Sequence, residues 1–285
     1  MSDSSPQLAP AIEITGGGLS FGHRTLWKDL SLSVERGEYF AVLGPNGSGK
    51  STFIKVILGL TQLSQGKIAV LGAAAGLGNP ALGYIPQQKA LGTELPLRAR
   101  DFVGLGVDGH RWGFRFKNRD YRAKVDSLLE AVGAQDYANV PVGLLSGGEQ
   151  QRLRIAQALA NDPAIILADE ALLSLDLNHQ YAVSDLIHRY NRENGATVVF
   201  VTHEINPIID HVDRVLYLAG GRFTVGTVPQ VMRSEVLTDL YQTPVSVIHT
   251  KGRYVVVGGE YREDHCALET DDPLLHLPAT RGEQG

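Results

Sequence analysis

Hydrophobic and polar positions alternate near the start of the chain and then give way to a continuous apolar run. Residues 11–14 and 30–34 alternate on either side of a turn at residues 22–24, which predicts antiparallel β structure. The apolar run at residues 39–43 predicts a strand buried on both faces, and apolar residues at helical spacing follow it over residues 52–58. We therefore expect an antiparallel β subdomain ahead of a strand–loop–helix unit.

The pattern then changes to helices and returns to strands. Helical spacing runs from residue 99 to residue 138, and the clearest amphipathic helix lies at residues 121–132. Two further apolar runs, at residues 164–168 and 197–201, predict buried strands. Strands that alternate with helices predict an α/β core, into which a helical subdomain is inserted at about residues 96–145.

The last part of the chain carries shorter strand patterns. Residues 215–225 predict a hairpin, and residues 246–259 predict two short strands around the turn at residues 251–253. The expected organisation is a disordered leader at 1–10, a main domain at 11–245, a C-terminal β extension at 246–261 and a flexible tail at 262–285.

Composition narrows the class of protein. A chain of 285 residues can bury its own core, and the single Cys266 excludes an intramolecular disulfide, so we expect a reduced, cytoplasmic setting. The net charge of −5 argues against general nucleic-acid binding but leaves open a local basic patch, such as the basic and aromatic residues 109–119. That segment is more typical of a solvated surface loop. The N-terminus carries no signal-peptide pattern, and the uncharged stretch between Lys67 and Lys89 is too rich in glycine and proline for a membrane span.

Residues 44–52 fit G-x-x-x-x-G-K-[ST] at every fixed position and lie between the strand and helix predicted above. Gly44, Gly47 and Gly49 let the backbone turn its N–H groups toward a phosphate, and the helix N-terminus favours an anion there. Lys50 would reach the β- and γ-phosphates, and Ser51 would offer its hydroxyl to Mg²⁺. The alternative, a glycine-rich turn that binds nothing, is disfavoured by the strand–loop–helix context.

Three other polar groups follow predicted strands or begin predicted helices. Ser146, Gly147 and Gly148 begin a helix, which suits an anion but by itself is only a helix start. Asp169 and Glu170 end an apolar strand, where one carboxylate could hold Mg²⁺ and the other orient or deprotonate a water molecule. His203 follows the next strand. His265, Cys266 and His276 match no zinc module.

Taken together and in this order, these motifs resemble the ATP-binding subunits of ABC transporters over roughly residues 11–230. Residues 44–52 match the Walker A loop, Gln87 the Q-loop, residues 145–152 the signature, Asp169 and Glu170 the end of the Walker B strand, residues 174–176 the D-loop, and His203 the switch histidine. The resemblance implies a P-loop ATPase of the ABC type, with a RecA-like core, an antiparallel β subdomain and an inserted helical subdomain.

The resemblance also assigns site residues. It makes Glu170, His203 and Lys50 catalytic, and it makes Phe21 the adenine-stacking aromatic, although an aromatic beside a turn is otherwise more typical of packing. Mg²⁺ would be held by Ser51, Gln87 and Asp169. The residues that contact ATP would be Phe21, Gly44, Asn46, Gly47, Ser48, Gly49, Lys50, Ser51, Thr52, Gln87, Ser146, Gly147, Gly148, Asp169 and Asp176.

The implied partners are a second copy of the chain, packed head to tail, and a separate membrane permease. An extracytoplasmic substrate-binding protein would complete the complex, and the chain would lie peripherally on the cytoplasmic face of the membrane. Residues 172–180 and 236–245 are similar to the manganese/zinc/iron importer branch. A siderophore- or cobalamin-type importer, and a permease-free ABC ATPase such as an iron–sulfur assembly factor, remain open.

The sequence departs from the family pattern at three positions. Glu149 stands where the signature usually has Gln, Ala168 where a bulkier aliphatic residue is common, and Ala171 where Pro is usual. None of these changes removes a group from the proposed chemistry. Because Lys50, Glu170 and His203 are all present, an inactive binding module is disfavoured.

Overall fold

The computed structural model describes residues 9–87, 97–108, 119–173 and 175–258. The strands are β1 (Ile12–Phe21), β2 (Arg24–Val34), β3 (Tyr39–Leu43), β4 (Gln65–Val70), β5 (Ala73–Ala74), β6 (Leu82–Ile85), β7 (Ile165–Asp169), β8 (Thr197–Val201), β9 (Arg214–Ala219), β10 (Arg222–Gly226), β11 (Val245–Thr250) and β12 (Arg253–Gly258). The helices are α1 (Lys50–Ile57), α2 (Ala99–Asp108), α3 (Arg119–Ala131), α4 (Gly147–Ala158), α5 (Leu177–Asn194), α6 (Val228–Val231) and α7 (Ser234–Tyr241), with a 3-10 turn at Val142–Leu144.

A six-stranded sheet forms the core, in the order β10-β9-β3-β8-β7-β6. All neighbours are parallel except β10, which returns from β9 as an antiparallel hairpin. Every residue of β3, β7 and β8 is buried, as their continuous apolar runs predict. The side chains of β3 alternate between two apolar clusters, so helices or strands cover both faces of this sheet.

A second, antiparallel sheet has the order β2-β1-β4-β5 and packs near α1. Trp27 of β2 is fully buried, and its ring meets that of Phe53 of α1 edge to face, with centroids 6.2 Å apart. This contact holds the antiparallel sheet against the helix that follows the phosphate loop. The antiparallel subdomain predicted from the alternating pattern is therefore present.

Helices α2 and α3 form the helical segment between β6 and α4 and pack against α4. Arg98 and Pro141 pair in an isolated antiparallel bridge, so this segment leaves and re-enters the core at one place. The expected boundaries of 96–145 enclose it, although residues 109–118 lie outside the described part of the chain.

Several elements begin or end where the sequence pattern did not place them. The sequence pattern predicts helices over residues 149–161 and 178–191. Helix α4 instead begins at Gly147 and ends at Ala158, and α5 is longer than predicted at both ends. The short helices α6 and α7 were not predicted. The hairpin of β11 and β12 was predicted. Its first strand begins at Val245, one residue earlier than expected, in what was assigned to the main domain.

Some predictions concern residues that the structure does not describe. These are most of the leader, Ser174 of the D-loop, the basic segment up to residue 118 and the tail with His265, Cys266 and His276. Among the residues that are described, no helix has both the length and the apolar character needed to cross a bilayer.

Candidate active site

The phosphate loop leads from the buried strand β3 directly into α1. Gly49 occupies the position before the helix with φ of 102°, and the helix start has no side-chain cap. A Cβ atom on Gly49 would lie 2.6 Å from the Trp27 ring, and one on Gly44 (φ 142°) would overlap the Leu218 carbonyl. Glycine is therefore required at both positions, and the first N–H groups of α1 are free to bind an anion.

Lys50 is the first residue of α1, and only 4% of it is exposed. Its ammonium group donates hydrogen bonds to the carbonyl oxygens of Gly44 (2.8 Å) and Pro45 (3.1 Å). It also lies 3.7 Å from a carboxylate oxygen of Glu170. Burial lowers the pKa of Lys50, and the nearby Glu170 and Asp169 carboxylates oppose that shift. The backbone of the loop thus surrounds the ammonium group of Lys50.

Ser51 and Asp169 form a pair of hard oxygen ligands. The Ser51 hydroxyl donates to Asp169 Oδ1 at 2.9 Å, which joins the start of α1 to the end of β7. Burial raises the pKa of Asp169, and the Ser51 hydrogen bond and the Lys55 and Lys50 charges oppose the shift. A hydroxyl beside a carboxylate fits Mg²⁺, which prefers one or two protein oxygens together with phosphate oxygens and water.

Glu170 turns away from Asp169 because the backbone leaves the strand between them. Its φ is 47°, in the left-handed region, while its N–H still bonds to the Val201 carbonyl at 2.9 Å. The sequence predicts that the two carboxylates diverge because successive side chains of a strand point in opposite directions, but β7 ends at Asp169 and does not include Glu170, so this reason is wrong. The Glu170 carboxylate accepts a hydrogen bond from Gln87 Nε2 at 3.0 Å and faces Lys50 with its other oxygen.

One open cleft of about 610 Å³, here called the phosphate-loop cleft, is lined by Lys50, Ser51, Gln87 and Glu170, whereas Gly44 and Asp169 are not among its lining residues. Phe21 stands at it with 54% of its surface exposed, so its ring is available for stacking. The predicted site residues that line this cleft are Phe21, Asn46, Gly47, Gly49, Lys50, Ser51, Thr52, Gln87, Glu170 and His203. Ser48 is not among them: its hydroxyl is buried and has no hydrogen-bond partner within the described chain.

Sequence reasoning missed four residues at or beside this site: Arg24, Leu26, Leu173 and Tyr84. Arg24 lines the cleft and donates from Nη2 to the Gly47 carbonyl at 2.7 Å, which braces the loop from β2. Leu173 lines the cleft beside Glu170. Tyr84 of β6 lies near Asp169, and partial burial, followed by the Asp169 charge, raises the pKa of Tyr84. Arg24 directly follows the turn beside Phe21, which was the signal available in the sequence.

The signature residues occupy a different surface. Ser146 caps α4: its hydroxyl accepts from the Glu149 N–H (3.3 Å) and donates to the Glu149 carboxylate (2.7 Å). Glu149, at the position where Gln is usual, thus completes a reciprocal cap. None of Ser146, Gly147 and Gly148 lines the phosphate-loop cleft of the same chain.

Asp176 lies next to the signature rather than at the phosphate loop. It caps α5 by accepting from the His179 N–H at 3.0 Å, and its other oxygen lies 2.6 Å from His179 Nδ1. These hydrogen bonds lower the pKa of Asp176. A Cβ atom on Gly148 would lie 2.8 Å from the His179 ring, so the ring packs directly against the signature backbone.

Comparison with known families agrees with this arrangement. Residues 27–173, just over half of the chain, match the family model described as "ABC transporter". That match extends from Trp27 of β2 to Leu173, and so includes the phosphate loop, Gln87, the signature and the Asp169–Glu170 pair.

Proteins of similar sequence are named as ATP-binding proteins of transport systems. A zinc import ATP-binding protein, ZnuC of Yersinia enterocolitica, is 36% identical over 70% of this chain and 73% of its own length. A phosphonates import ATP-binding protein, PhnC 2 of Pseudomonas savastanoi, is 34% identical over 81% of this chain and 89% of its own. A manganese transport system ATP-binding protein, MntB of Halalkalibacterium halodurans, is 28% identical over 87% and 98% respectively.

Solved structures have the same fold. An inward-facing metal-chelate type ABC transporter includes a chain that is 27% identical, with a TM-score of 0.74 over 87% of this chain and 97% of that one. A dimeric ATP-binding cassette, MJ0796 with bound ADP and Pi, is 29% identical, with a TM-score of 0.64 over 76% and 98%. The ABC-type P-loop fold and the family match together show that this chain belongs to the ABC transporter family, as an ATP-binding, ATP-hydrolysing subunit.

Proposed function

We propose that ATP binds in the phosphate-loop cleft, with the adenine on Phe21 and the phosphates in the loop at residues 44–52. The observation that carries this proposal is a pair of contacts at the loop: Ser51 bonds to Asp169, and Glu170 contacts both Gln87 and Lys50. The cation of Lys50 would exchange its bonds to the loop carbonyls for the β- and γ-phosphate oxygens. Free N–H groups at the start of α1 would complete the cradle.

Ser51 and Asp169 would hold Mg²⁺, and Gln87 would complete the set by turning its amide oxygen toward them. Bound there, Mg²⁺ would neutralise charge that develops on the phosphates. No group of three or more His, Cys, Asp or Glu side chains suited to a metal occurs among the described residues. The ion would therefore be shared with the nucleotide, as is usual for Mg²⁺ at phosphates.

Glu170 is proposed to orient the attacking water and to accept its proton, because its carboxylate faces the phosphate-loop Lys50 from the end of β7. His203 lines the same cleft from the end of β8 and would contact the γ-phosphate. The role of these two residues is positioning and electrostatic stabilisation, which is most of what phosphoryl transfer asks of a protein.

A second copy of the chain is proposed to complete the site. Ser146, Gly147, Gly148 and Asp176 lie away from the phosphate-loop cleft of their own chain, although they present a capped helix start suited to an anion. In a head-to-tail pair, these residues of one copy would cover ATP on the other. ATP would then hold the closed pair together, and hydrolysis would reopen it.

The transport function proposed is import of a transition-metal ion: manganese, zinc or iron. The pair would bind a membrane permease from its cytoplasmic face, and an extracytoplasmic substrate-binding protein would deliver the cargo. Support comes from relatives named for manganese and zinc transport. The 34% identical phosphonate relative shows that overall similarity does not fix the cargo.

Total cellular manganese, zinc and iron would test the cargo in metal-poor medium. Cells that rely on this protein would carry either the wild type or Glu170→Gln, with matched expression. The proposal expects a selective fall of one metal in the variant. Unchanged metals, with the loss of ATP hydrolysis verified in the purified variant, would contradict metal-ion import.

A metal chelate is the second candidate cargo, because the 27% identical structure is of a metal-chelate type transporter. Supplying iron as free ion or as a chelate separates the two candidates. A Glu170→Gln defect seen only with the chelate would favour this candidate.

A further inference from the structure

We propose that Asn206 and the hairpin of β11 and β12 position the catalytic His203. This inference rests on the role given to His203 under Proposed function. The turn at residues 203–206, here called the switch segment, connects the end of β8 to the rest of the domain. Both of its ends are fixed by specific hydrogen bonds, and the second end is fixed by the C-terminal hairpin.

Thr202 fixes the first end. Its hydroxyl donates to the Glu204 carbonyl at 2.9 Å and accepts from the Glu204 N–H at 3.1 Å. Thr202 is buried at the end of the central strand β8, so this small turn starts from a rigid position. His203 lies inside the turn, with its side chain at the phosphate-loop cleft.

Asn206 fixes the second end to β12. Its Nδ2 donates to the Tyr254 carbonyl at 2.9 Å, and its Oδ1 accepts from the Tyr254 N–H at 2.9 Å. One side-chain amide thereby occupies both backbone groups of one strand residue, as a neighbouring strand would. Arg253 adds a hydrogen bond from Nη1 to the Asn206 backbone carbonyl.

The hairpin is itself anchored to the domain. Thr238 of α7 exchanges hydrogen bonds with the Val245 backbone at 3.0 and 3.2 Å, and Ser234 accepts from the Val247 N–H at 2.8 Å. The Arg253 guanidinium lies 5.2 Å from the centre of the Tyr181 ring on α5, the helix that Asp176 caps. The hairpin therefore bridges the switch segment, α5 and α7.

Residues of β12, the switch segment and the start of the phosphate loop line one open cleft of about 560 Å³, among them Val256, His203 and Pro45. Among the described residues, the hydrogen bonds that join the hairpin to the switch segment are those of Asn206 with Arg253 and Tyr254. Loss of the Asn206 contacts would free the second end of the turn that carries His203, without removing any group that touches ATP.

The test compares steady-state ATP hydrolysis by the full-length chain for wild type, Asn206→Ala, Arg253→Ala, His203→Ala and the double variant Asn206→Ala with His203→Ala. Ser246→Ala, on the exposed side of β11, is the matched control. We expect Asn206→Ala to lower kcat on the order of tenfold with little change in KM for ATP, because a positioning defect acts on the chemical step. Arg253→Ala should have a smaller effect in the same direction.

The double variant separates positioning from a general structural effect. Single-turnover hydrolysis, with enzyme in excess, keeps slow variants measurable. If Asn206 acts through His203, its loss should cost nothing further once His203 is gone. A multiplicative loss in the double variant, or wild-type kcat in both Asn206→Ala and Arg253→Ala, would overturn the inference. Should Asn206→Ala fail to fold, Arg253→Ala carries the same comparison.

Failure of the inference can be told apart from failure of the proposed function. If His203→Ala lowers kcat and the Asn206→Ala and Arg253→Ala variants do not, the role of the hairpin is contradicted and the role of His203 is kept. A normal His203→Ala removes the assignment of His203 to the γ-phosphate, and the inference with it.

Discussion

At the scale of single residues, the candidate active site places one buried cation beside two carboxylates, of which Asp169 is buried and Glu170 is half-buried. Lys50 is almost fully buried, bonded to two loop carbonyls and near Glu170. Burial alone would favour its neutral form, and the two carboxylates favour the charged form. A phosphate that enters the loop adds negative charge where the cation already lies, so Lys50 is the residue on which nucleotide binding most depends.

Lys50→Ala should weaken ATP binding by about 100-fold or more, because it removes several charge-assisted hydrogen bonds at once. Equilibrium binding of a fluorescent ATP analogue measures this directly. Lys67→Ala, on the exposed strand β4, removes the same charge from the surface and should bind normally. Equal affinities for the two variants would contradict the assignment of Lys50.

Gly49→Ala should lower the free energy of unfolding by about 1–3 kcal/mol, since a left-handed backbone and contact with Trp27 both penalise a Cβ atom. Gly195→Ala is the matched control: Gly195 also has positive φ, of 63°, but a Cβ there meets nothing within 4 Å. Chemical denaturation of both variants separates backbone strain from the clash. If the two variants lose the same stability, the Trp27 contact does not matter.

At the scale of elements, the proposed catalytic groups lie at the C-terminal edge of the parallel sheet, and its other edge carries a cluster of rings. His188 of α5 stacks on His211 with centroids 4.0 Å apart, and both rings lie near Tyr39 at the start of β3. Asp185 pairs with His211 at 3.0 Å. This cluster lies far along β3 from the phosphate loop, so it bears on stability.

Burial, then the neighbouring His211 and Arg192, lowers the pKa of His188 below its ordinary 6.5, while Asp185 and Asp213 oppose the shift. The unfolded chain therefore takes up this proton first, and the free energy of unfolding falls as the pH drops below about 6.5. His188→Phe keeps a ring and removes the titration. Its melting temperature should fall less than that of the wild type between about pH 7.5 and pH 5.5, the range in which histidines of the unfolded chain take up protons.

The exposed His23, replaced by Phe, controls for the loss of any histidine. It should follow the wild-type pH dependence. If the melting temperatures of His188→Phe and the wild type fall equally with pH, the stacked histidines do not contribute to the loss of stability in acid.

The sequence was most informative where short-range pattern decides structure. Fully buried strands β3, β7 and β8 follow from continuous apolar runs, and the positions of Lys50, Ser51 and Asp169 follow from a motif and a strand end. The contact of Asn206 with Tyr254 spans 48 residues, and no local pattern encodes it. Arg24 was missed for the same reason, since its partner Gly47 lies on another element.

Short elements also could not be predicted from the pattern of apolar and polar residues. Helix α6 has four residues and β5 has two, too few for a period to be recognised. The left-handed turn at Glu170 was invisible because glycine, not glutamate, is the usual marker of positive φ. The sequence therefore predicted a carboxylate at this position and gave the wrong reason for its direction.

At the scale of the whole molecule, we propose that the chain carries two half-sites. The phosphate loop, Asp169, Glu170 and His203 would form one, and the capped start of α4 would form the other. The start of α4 does not line the phosphate-loop cleft, so a single chain would not assemble the complete site. The central claim is that ATP joins two chains by bringing unlike half-sites together.

The most direct test is gel filtration with light scattering of Glu170→Gln in the presence of Mg-ATP. This variant should bind ATP without hydrolysing it, because the amide cannot accept the proton of the attacking water. Without nucleotide, the account predicts the mass of one chain. Adding Lys50→Ala to Glu170→Gln should prevent any change.

With Mg-ATP, the account predicts that Glu170→Gln elutes with the mass of two chains, and that the wild type returns to one as it consumes ATP. A Glu170→Gln protein that binds ATP tightly yet remains a single chain would contradict the claim that ATP joins the two half-sites.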